Sequence, residues 1–423
     1  MERVKYAIVG AGISGLALAN FLDGEDYAIF ERDAAIGGYC KTVVQDGFVW
    51  DYSGHFFHFR YQEIEALLRS RMEGQEILTV EKQAKILYKG ALIDFPFQKN
   101  IHQLPKDEFI DCLYDLWFRP ETAPPFESFA AMLEARFGKG ITARFLTPYN
   151  EKLYACALDA LDADAMGRFF PYAEVDDIIR DFRQADNASY NATFTYPRGG
   201  AIQYVNALYA GVEPTKVHLG EGVVRIERAA RVLETSAGRR VRYEVLVSSA
   251  PFDRLMGMVG EPVSPSVFSS NRVHVFNFGF DRKGPDGMHW LYVPERQFVF
   301  YRVGFYDNIF GDARMSLYVE VGQRTDETVD PAETRSRVLA DLEAAGIVDG
   351  HQLVSEHQIV LDPAYVHIRS SARQELARLR EGLEASGVFT IGRYGGWTYC
   401  SIEDNIVEAR ALAERLNGRG PLA

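Results

Sequence analysis

Residues 4–16 read VKYAIVGAGISGL, and this run decides the fold. Its first half is short, apolar and partly β-branched, which is typical of a strand buried in a parallel sheet. The pattern then predicts a helix from Ile13 to Leu22 and a second strand at 27–31, YAIFE. Together these elements predict one βαβ unit, the smallest unit that can hold a dinucleotide.

Three glycines, Gly10, Gly12 and Gly15, form a GxGxxG pattern at the junction of strand and helix. The first allows a tight turn, the second lets a pyrophosphate approach the backbone, and the third lets helix and strand pack closely. Glu31 follows about 20 residues later, where a carboxylate can bind the ribose hydroxyls of adenosine and disfavours a ribose phosphate. The spacing therefore predicts a dinucleotide site, with the phosphates at the helix N-terminus.

Composition and charge restrict the class of protein. The 423 residues exceed one ordinary core, so two or three packed units are expected. Hydrophobic residues make up 47% and charged residues 25%, as in a soluble globular enzyme. The net charge of −13 argues against binding to nucleic acid. An anionic small-molecule substrate stays possible where a few arginines converge.

The cysteines Cys40, Cys112, Cys156 and Cys400 lie far apart, with neither metal-ligand nor CxxC spacing. Reduced thiols, no metal site and a cytoplasmic location are therefore expected. The apolar N-terminal stretch is interrupted by the motif glycines and lacks a cleavage site, so we do not expect a signal peptide. No apolar run is long enough to predict a membrane span.

The segment ERDAAIGGYCKT, residues 31–42, resembles the second signature of the FAD-binding, glutathione-reductase-like class, in which a Gly-Gly pair follows the acidic residue. Gly37 and Gly38 would let the backbone approach the cofactor. The amine oxidase branch of this class usually has a basic residue where Tyr39 stands. The resemblance implies FAD rather than NAD.

The rest of the chain predicts an α/β protein with a discontinuous Rossmann-like domain. Helical periodicity dominates from about Lys106 to Arg180, and strong alternation over 271–321 indicates a half-buried antiparallel sheet. The expected division is a FAD-binding domain at 1–100, 190–255 and 370–423, a helical substrate or lid domain at 101–189, and an antiparallel-sheet substrate domain at 256–369.

Six later segments, in family order, resemble UDP-galactopyranose mutases of the FAD-dependent amine oxidase and protoporphyrinogen oxidase superfamily. They are WDYSGHFFHF (50–59), LIDFPFQKNIHQL (92–104), FLTPYNEKLYA (145–155), NATFTYPRGG (191–200), FVFYRVGFYDN (298–308) and GRYGGWTY (392–399). The resemblance implies an isomerase that interconverts the pyranose and furanose forms of a nucleotide sugar, as in polysaccharide biosynthesis. It implies that N5 of reduced FAD attacks the anomeric carbon with no net redox change, that NAD(P)H is the reductant, and that a homodimer is possible.

Residue roles follow from the matching positions. Arg302 and Arg393 would hold the diphosphate, because guanidinium groups bind such oxygens in a bidentate manner. Tyr365 and Tyr399 would donate hydrogen bonds to the phosphates, and His55 would lie beside the flavin. Those five residues are the expected catalytic group. The residues expected to contact substrate are Asn150, Tyr154, Asn191, Arg302, Tyr365 and Tyr399.

The expected cofactor contacts extend beyond the glycine motif. A capping box of Ser401 and Asp404 predicts the start of the last helix, whose N-terminus faces the cofactor in this class. Val224 matches the strand whose backbone meets adenine. The full expected set is Gly10, Gly12, Ile13, Ser14, Gly15, Glu31, Arg32, Gly37, Gly38, Tyr39, Gly54, His55, Val224, Gly392, Arg393, Ser401 and Ile402.

Several alternatives stay open. His55 can be a structural histidine, Arg302 a surface charge, and Asn150 with Tyr154 a structural pair on one helix face. Tyr154 stands where the mutases have tryptophan, Val366 follows Tyr365 where they have proline, and the 183–192 loop lacks a clear glycine-tryptophan gate. The sugar or nucleotide can therefore differ from UDP-galactose. The competing functions are an oxidoreductase of the amine oxidase or protoporphyrinogen oxidase type, and a flavin-binding protein without chemistry.

Overall fold

The structure, a computed structural model, describes residues 1–120, 122–184 and 192–418. The strands are β1 (Glu2–Val9), β2 (Tyr27–Phe30), β3 (Thr42–Gln45), β4 (Phe48–Asp51), β5 (Ile77–Glu81), β6 (Ala84–Tyr88), β7 (Ala91–Asp94), β8 (Thr193–Pro197), β9 (Val217–His218), β10 (Val223–Glu227), β11 (Val232–Thr235), β12 (Arg240–Ser248), β13 (Asn271–Phe280), β14 (Trp290–Tyr292), β15 (Arg302–Phe305), β16 (Ser316–Arg324), β17 (Leu353–Leu361) and β18 (Val388–Thr390).

The helices are α1 (Ile13–Phe21), α2 (Gln62–Arg69), α3 (Lys106–Trp117), α4 (Phe129–Ile141), α5 (Thr147–Tyr154), α6 (Val175–Asp181), α7 (Ile202–Tyr209), α8 (Phe252–Met258), α9 (Asp307–Phe310), α10 (Pro331–Ala344), α11 (Ser370–Ala385), α12 (Gly392–Gly395) and α13 (Ile402–Leu416). No helix in the described ranges has both the length and the apolar character that a membrane crossing needs.

The first sheet contains the predicted βαβ unit at its centre. Its order is β10-β11-β12-β1-β2-β9, and β18 also pairs with β12. Strand β1 runs parallel to both β12 and β2. All of β2 and the second half of β1 are buried; α1 packs on β1, and α7 and α13 pack on α1. The predicted Rossmann-like α/β fold is confirmed.

The second sheet has the order β17-β13-β16-β15-β14-β6-β7. Its centre is antiparallel, with β13 paired to β16 from Asn271↔Arg324 to Gly279↔Ser316. Strand β14 pairs parallel to β6, so the β6–β7 hairpin extends this sheet. Residues 84–94 thus join the second sheet, although they lie within the 1–100 segment that is expected to belong to the FAD-binding domain. A hairpin is recognisable from local sequence, but its partner strand is set by tertiary packing.

The helices α3 to α5 form a layer against the second sheet. Gly322 of β16 lies directly under α5, and a Cβ added there would overlap the carbonyl oxygen of Lys152. The side chain of Asn271, at the start of β13, donates a hydrogen bond of 2.7 Å to the carbonyl of Leu153 in the same helix. These backbone-level contacts fix α5, and the chain on either side of it, relative to the sheet.

Replacing Gly322 with alanine should lower the free energy of unfolding by about 1–3 kcal/mol, because the clash is with backbone that cannot rotate away. The measurement is chemical denaturation followed by circular dichroism. Gly382→Ala is the control: that glycine lies in α11 with open space around its Cβ position, so alanine should stabilise slightly through helix propensity. Equal effects of the two variants would contradict the close contact.

Candidate active site

A cavity of about 580 Å³ opens at the carboxyl ends of β1 and β2, where ligands bind in open α/β sheets. The glycine loop forms its floor. Gly10 has φ +101°, and a Cβ there would overlap the hydroxyl of Ser249. A Cβ on Gly15 would overlap the carbonyl oxygen of Gly10, so α1 can pack on β1 only because residue 15 is glycine.

The adenosine end of this cavity is marked by Glu31, which is buried. Its carboxylate accepts hydrogen bonds from the backbone N–H of Ala11 at 2.7 Å and of Asp33 at 3.0 Å. The carboxylate is thus fixed toward the glycine loop, with acceptor capacity left for ribose hydroxyls. Gly38 has φ +55° and lies in van der Waals contact with Gly12, and both line the cavity.

Two helix N-termini point at the same cavity, those of α1 and α13. Helix α13 begins with a complete capping box, in which Ser401 and Asp404 each accept a backbone hydrogen bond from the other, so the predicted start is correct. Asn405 accepts hydrogen bonds from the Ser14 hydroxyl and from the Arg393 N–H. Two positive helix ends and a side-chain-free loop fit a pyrophosphate, and the residues present therefore fit a flavin dinucleotide.

A second, smaller cavity of about 180 Å³ adjoins the first. The residues that line both cavities are Tyr39, His55, Arg393, Tyr394, Cys400 and Ile402. The smaller cavity is rich in aromatic side chains from β14 and from the segments before β15, α11 and α13. It brings together the five residues expected to be catalytic: His55, Arg302, Tyr365, Arg393 and Tyr399.

Arg302 is bound by a carboxylate that the sequence did not single out. Its Nε and Nη2 donate hydrogen bonds of 2.6 and 2.8 Å to the two oxygens of Glu320, which is 1% exposed. Burial is the largest effect on each group and opposes its charge, but Glu320 together with the surrounding tyrosines raises the pKa of Arg302, and Arg302 together with the hydrogen bonds that Glu320 accepts lowers the pKa of Glu320. Arg302 is thus a partly buried, fully ionised cation whose planar group is held by Glu320.

Arg393 has no carboxylate within ion-pair distance among the described residues. Its guanidinium lies 4.5 Å from the ring centre of Tyr399 and 5.2 Å from that of Tyr365. Its Nε is buried and has no hydrogen-bond acceptor in the described part of the chain. A partly buried guanidinium that only aromatic faces compensate is a strong binding site for an anion.

His55 lies where the two cavities meet, and its Nδ1 is buried. Burial, and after it the charge of Arg393, lowers the pKa of His55 to about 4. The imidazole is therefore neutral at physiological pH and can donate one hydrogen bond and accept another. Burial also raises the pKa of Tyr365 to about 12, so its phenol stays a hydrogen-bond donor.

Most of the expected cofactor contacts line the larger cavity, and a few do not. Gly54 and Ser401 line the smaller cavity instead. Gly15 and Gly392 line neither cavity; Gly15 packs closely against Gly10, and Gly392 packs closely against Ser14. Val224 is 53% exposed and points away, while its neighbour Val223 lines the cavity. The expectation for Val224 concerns its backbone and stays a prediction; of the two side chains, that of Val223 faces the cavity, since alternate side chains of a strand face opposite sides.

Two of the residues expected to contact substrate, Asn150 and Tyr154, lie elsewhere. Asn150 and Tyr154 are 2% and 1% exposed and line neither cavity. Tyr154 packs edge-to-face behind Tyr365, and the Asn150 amide donates to the carbonyl of Leu146 within its own helix. In this structure they form the structural pair left open above. Asn191 lies outside the described residues.

Several lining residues were not recognised from sequence, chiefly Glu320, Asn405, Arg254, Tyr52 and Lys82. Glu320 is directly opposite Arg302 in the β15–β16 ladder. The sequence could have indicated this ion pair, because opposite charges on predicted neighbouring strands often pair. The others come from chain positions with no local pattern.

Comparison with known proteins defines the class. The family described as flavin containing amine oxidoreductase matches residues 13–417, so the chain belongs to that family. Family membership implies FAD as the cofactor. A protoporphyrinogen oxidase 2 of Arabidopsis thaliana is 32% identical over 96 residues, which are 22% of this chain and 19% of that protein. One from Nicotiana tabacum is 26% identical over 160 residues, 34% of this chain and 31% of the relative.

Solved structures extend the similarity over the whole fold. A reduced UDP-galactopyranose mutase has a TM-score of 0.91 at 24% identity, covering 99% of this chain and 94% of the mutase. A putative protoporphyrinogen oxidase from Exiguobacterium sp. 255-15 has a TM-score of 0.76 at 17% identity, covering 99% of each chain. The expected superfamily and fold are confirmed.

Gly15→Ala should reduce the flavin retained per protein at least ten-fold, because its methyl group displaces α1 from β1 and widens the phosphate loop. The measurement is flavin absorbance against protein concentration after gel filtration. Gly257→Ala is the matched control, since that position lies in α8 with open space around it. Unchanged flavin content in Gly15→Ala would contradict the placement of the cofactor.

The low pKa of His55 has a consequence for stability. Below about pH 6.5 the unfolded chain binds a proton at this histidine, and the folded chain does so only near pH 4. The contribution of His55 to the free energy of unfolding is thus fully present above pH 6.5 and is lost as the pH falls from 6.5 toward 4. The excess in Tm of the wild type over His55→Gln should shrink between pH 7.5 and 5. A constant or growing difference would contradict a buried neutral imidazole.

Proposed function

We propose that this protein is a flavin-dependent nucleotide-sugar mutase that interconverts pyranose and furanose forms. The observation that carries the proposal is Arg393, a partly buried cation with no carboxylate partner in the described chain, at the junction of the flavin cavity and a small aromatic cavity. Such a cation needs an anion from the ligand. A sugar diphosphate places its anion next to the reacting carbon, as this site requires.

The roles of the side chains follow from their positions. Arg393 binds the diphosphate and keeps its charge as the leaving group develops negative charge. Tyr365 and Tyr399, stacked with ring centres 5.9 Å apart, donate hydrogen bonds to the same oxygens. Arg302 adds positive potential to the cavity. Because Glu320 accepts two hydrogen bonds from its guanidinium, Arg302 orients the substrate and supplies an electric field more than it binds phosphate oxygens in a bidentate manner.

The cavity also protects the reacting carbon. Reduced FAD, when bound, supplies a nucleophilic nitrogen and so permits covalent catalysis without net redox change. The chain contributes a dry enclosure, because the residues around Arg302 include the buried rings of Trp290, Tyr301 and Tyr365. Exclusion of water suppresses hydrolysis of an activated sugar. Neutral His55, at the junction of the two cavities, can exchange a proton with a sugar hydroxyl or the cofactor edge.

A second candidate is an oxidoreductase acting on a porphyrinogen, because both curated relatives described above are protoporphyrinogen oxidases. The carboxylates of such a substrate could also use Arg393. The smaller cavity, at about 180 Å³, lies below the range of about 300–1,000 Å³ that encloses drug-sized ligands. That size favours a substrate that inserts one small ring and leaves the rest outside.

The decisive experiment incubates a panel of UDP-, GDP- and dTDP-linked hexopyranoses with the oxidised holoenzyme, and with the enzyme reduced by dithionite or NAD(P)H. We expect a furanose product, resolved by anion-exchange chromatography, only after reduction. Conversion at the same rate with oxidised flavin would refute the mechanism. Stoichiometric oxygen consumption with protoporphyrinogen, and no isomerisation of any sugar, would establish the second candidate instead.

Arg393→Lys should lower kcat/KM for the isomerisation by about 100-fold, since an ammonium ion cannot make the bidentate contact and charged hydrogen bonds contribute about 1.5–3 kcal/mol. Flavin content reports whether the fold is kept. Arg314→Lys serves as the matched control: this arginine also lies over an aromatic ring, that of Phe48 at 4.2 Å, but is remote from both cavities. A comparable loss in both variants would argue against the phosphate role.

A further inference from the structure

A row of three polar side chains crosses the second sheet beside the smaller cavity. Tyr292 of β14 is directly opposite Arg302 of β15, and Arg302 is directly opposite Glu320 of β16. Directly opposite residues of paired strands project from the same face of a sheet. All three line the smaller cavity. Tyr292 and Glu320 therefore flank Arg302 on its two sides.

The ring of Tyr292 is held by two other aromatic rings. Its centre lies 4.8 Å from that of Phe95, which follows β7, and 5.4 Å from that of Tyr149 in α5, to which it is perpendicular. The side chain is half-buried, and its hydroxyl makes no hydrogen bond with any residue that the structure describes. The packing therefore fixes the ring and leaves the hydroxyl free for a ligand.

The hydroxyl of Tyr292 is a hydrogen-bond donor. Burial raises the pKa of Tyr292 to about 12, so the phenol stays protonated at physiological pH. After burial, the largest effects on this pKa come from Arg302, which lowers it, and from Tyr399, which raises it. Because such effects fall with distance, the phenol lies close to both of these residues.

The charge of this row differs from the charge at Arg393. Glu320 accepts hydrogen bonds from Nε and Nη2 of Arg302 and balances its charge, while Nη1 takes no part in that pair. Tyr292 and Nη1 of Arg302 thus offer donors to a ligand at a place with little net charge. Arg393 has no carboxylate partner in the described chain, so the phosphates are drawn there, and a neutral oxygen suits the row.

The size of the cavity decides which part of a nucleotide sugar meets the row. A volume of about 180 Å³ lies below the range that encloses a drug-sized ligand, so the cavity has room for a sugar ring and not for a whole nucleotide. The neutral oxygens of a sugar ring are its hydroxyl groups, and each of them can accept a hydrogen bond from a phenol or a guanidinium.

Resting on the proposed mutase function, we propose that Tyr292 is a specificity-determining residue whose phenol, together with Nη1 of Arg302, binds a hydroxyl group of the sugar. A site with donors placed for a substrate hydroxyl discriminates against ligands that lack it, because those donors are then left unpaired. Tyr292 and Arg393 would thus recognise different parts of one ligand, the sugar and the diphosphate.

The test uses Tyr292→Phe, which removes the hydroxyl and keeps the ring that packs on Phe95 and Tyr149. The probes are two matched pairs, UDP-galactose with UDP and GDP-mannose with GDP, titrated into the oxidised and the dithionite-reduced holoenzyme and followed by flavin absorbance. For a pair that binds, the Kd of the sugar nucleotide should rise about three- to ten-fold, the effect of one neutral hydrogen bond. The Kd of the nucleoside diphosphate should stay the same.

Tyr88→Phe is the matched control. It removes a phenol from the same sheet, one that donates to Glu108 and lines neither cavity, so it should leave all the dissociation constants unchanged. The Tm and the flavin content of Tyr292→Phe should match those of the wild type, because the hydroxyl has no partner in the described chain.

The outcomes separate the two proposals. Equal losses for the sugar nucleotide and its diphosphate in Tyr292→Phe would show that the hydroxyl binds phosphate, and unchanged constants for both would show that it binds neither part. Either result overturns the role of Tyr292, while binding to the wild type that weakens in Arg393→Lys leaves the mutase proposal standing. If neither pair binds to the wild type in either flavin state, both proposals fail.

Discussion

The close approach of α1 to β1 is the constraint on which the rest of the site depends. Gly15 lies against the carbonyl of Gly10 with no space for a side chain, and this contact brings the N-terminus of α1 to the end of the strand. Helix α13 then packs along α1, and a Cβ on Gly392 would overlap the side-chain hydroxyl of Ser14 in α1. Two helix N-termini thereby converge on one cavity, because these glycines leave no side chain between the packed segments.

The second sheet depends on the first through the Gly54-His55 segment. A Cβ at Gly54 would overlap the phenol of Tyr318 in β16, and Ser53 donates a hydrogen bond to Glu320 in the same strand. Glu320 in turn holds Arg302 from the neighbouring strand β15. One short loop thus joins the cofactor wall to the ion pair of the substrate wall, so that a shift at either wall is transmitted to the other.

The two arginines of the site, Arg302 and Arg393, differ in the groups that compensate their charge. Arg302 has a buried carboxylate partner and so has its desolvation cost offset within the protein. Arg393 is compensated by aromatic rings alone among the described residues, and retains most of its capacity to bind an anion. The difference comes from neighbours rather than from residue type, since the two side chains are chemically identical.

Local sequence determined the elements whose signals are local: the βαβ unit, the glycine loop with Glu31, the capping box at Ser401 and Asp404, and the alternation of the second sheet. Sequence resemblance also brought Arg302, Arg393, Tyr365 and Tyr399 into one group, and they do line one cavity. Spacing and hydrophobic period encode backbone geometry and burial, so those features can be predicted without coordinates.

Only the tertiary structure decided which side chains reach the cavity and what state they adopt. It assigned the β6–β7 hairpin to the second sheet, turned Val224 outward and Val223 inward, and placed Asn150 and Tyr154 behind Tyr365. It paired Arg302 with Glu320 and left Arg393 among tyrosines. These outcomes depend on strand register and on residues distant in sequence, and neither is carried by a local pattern.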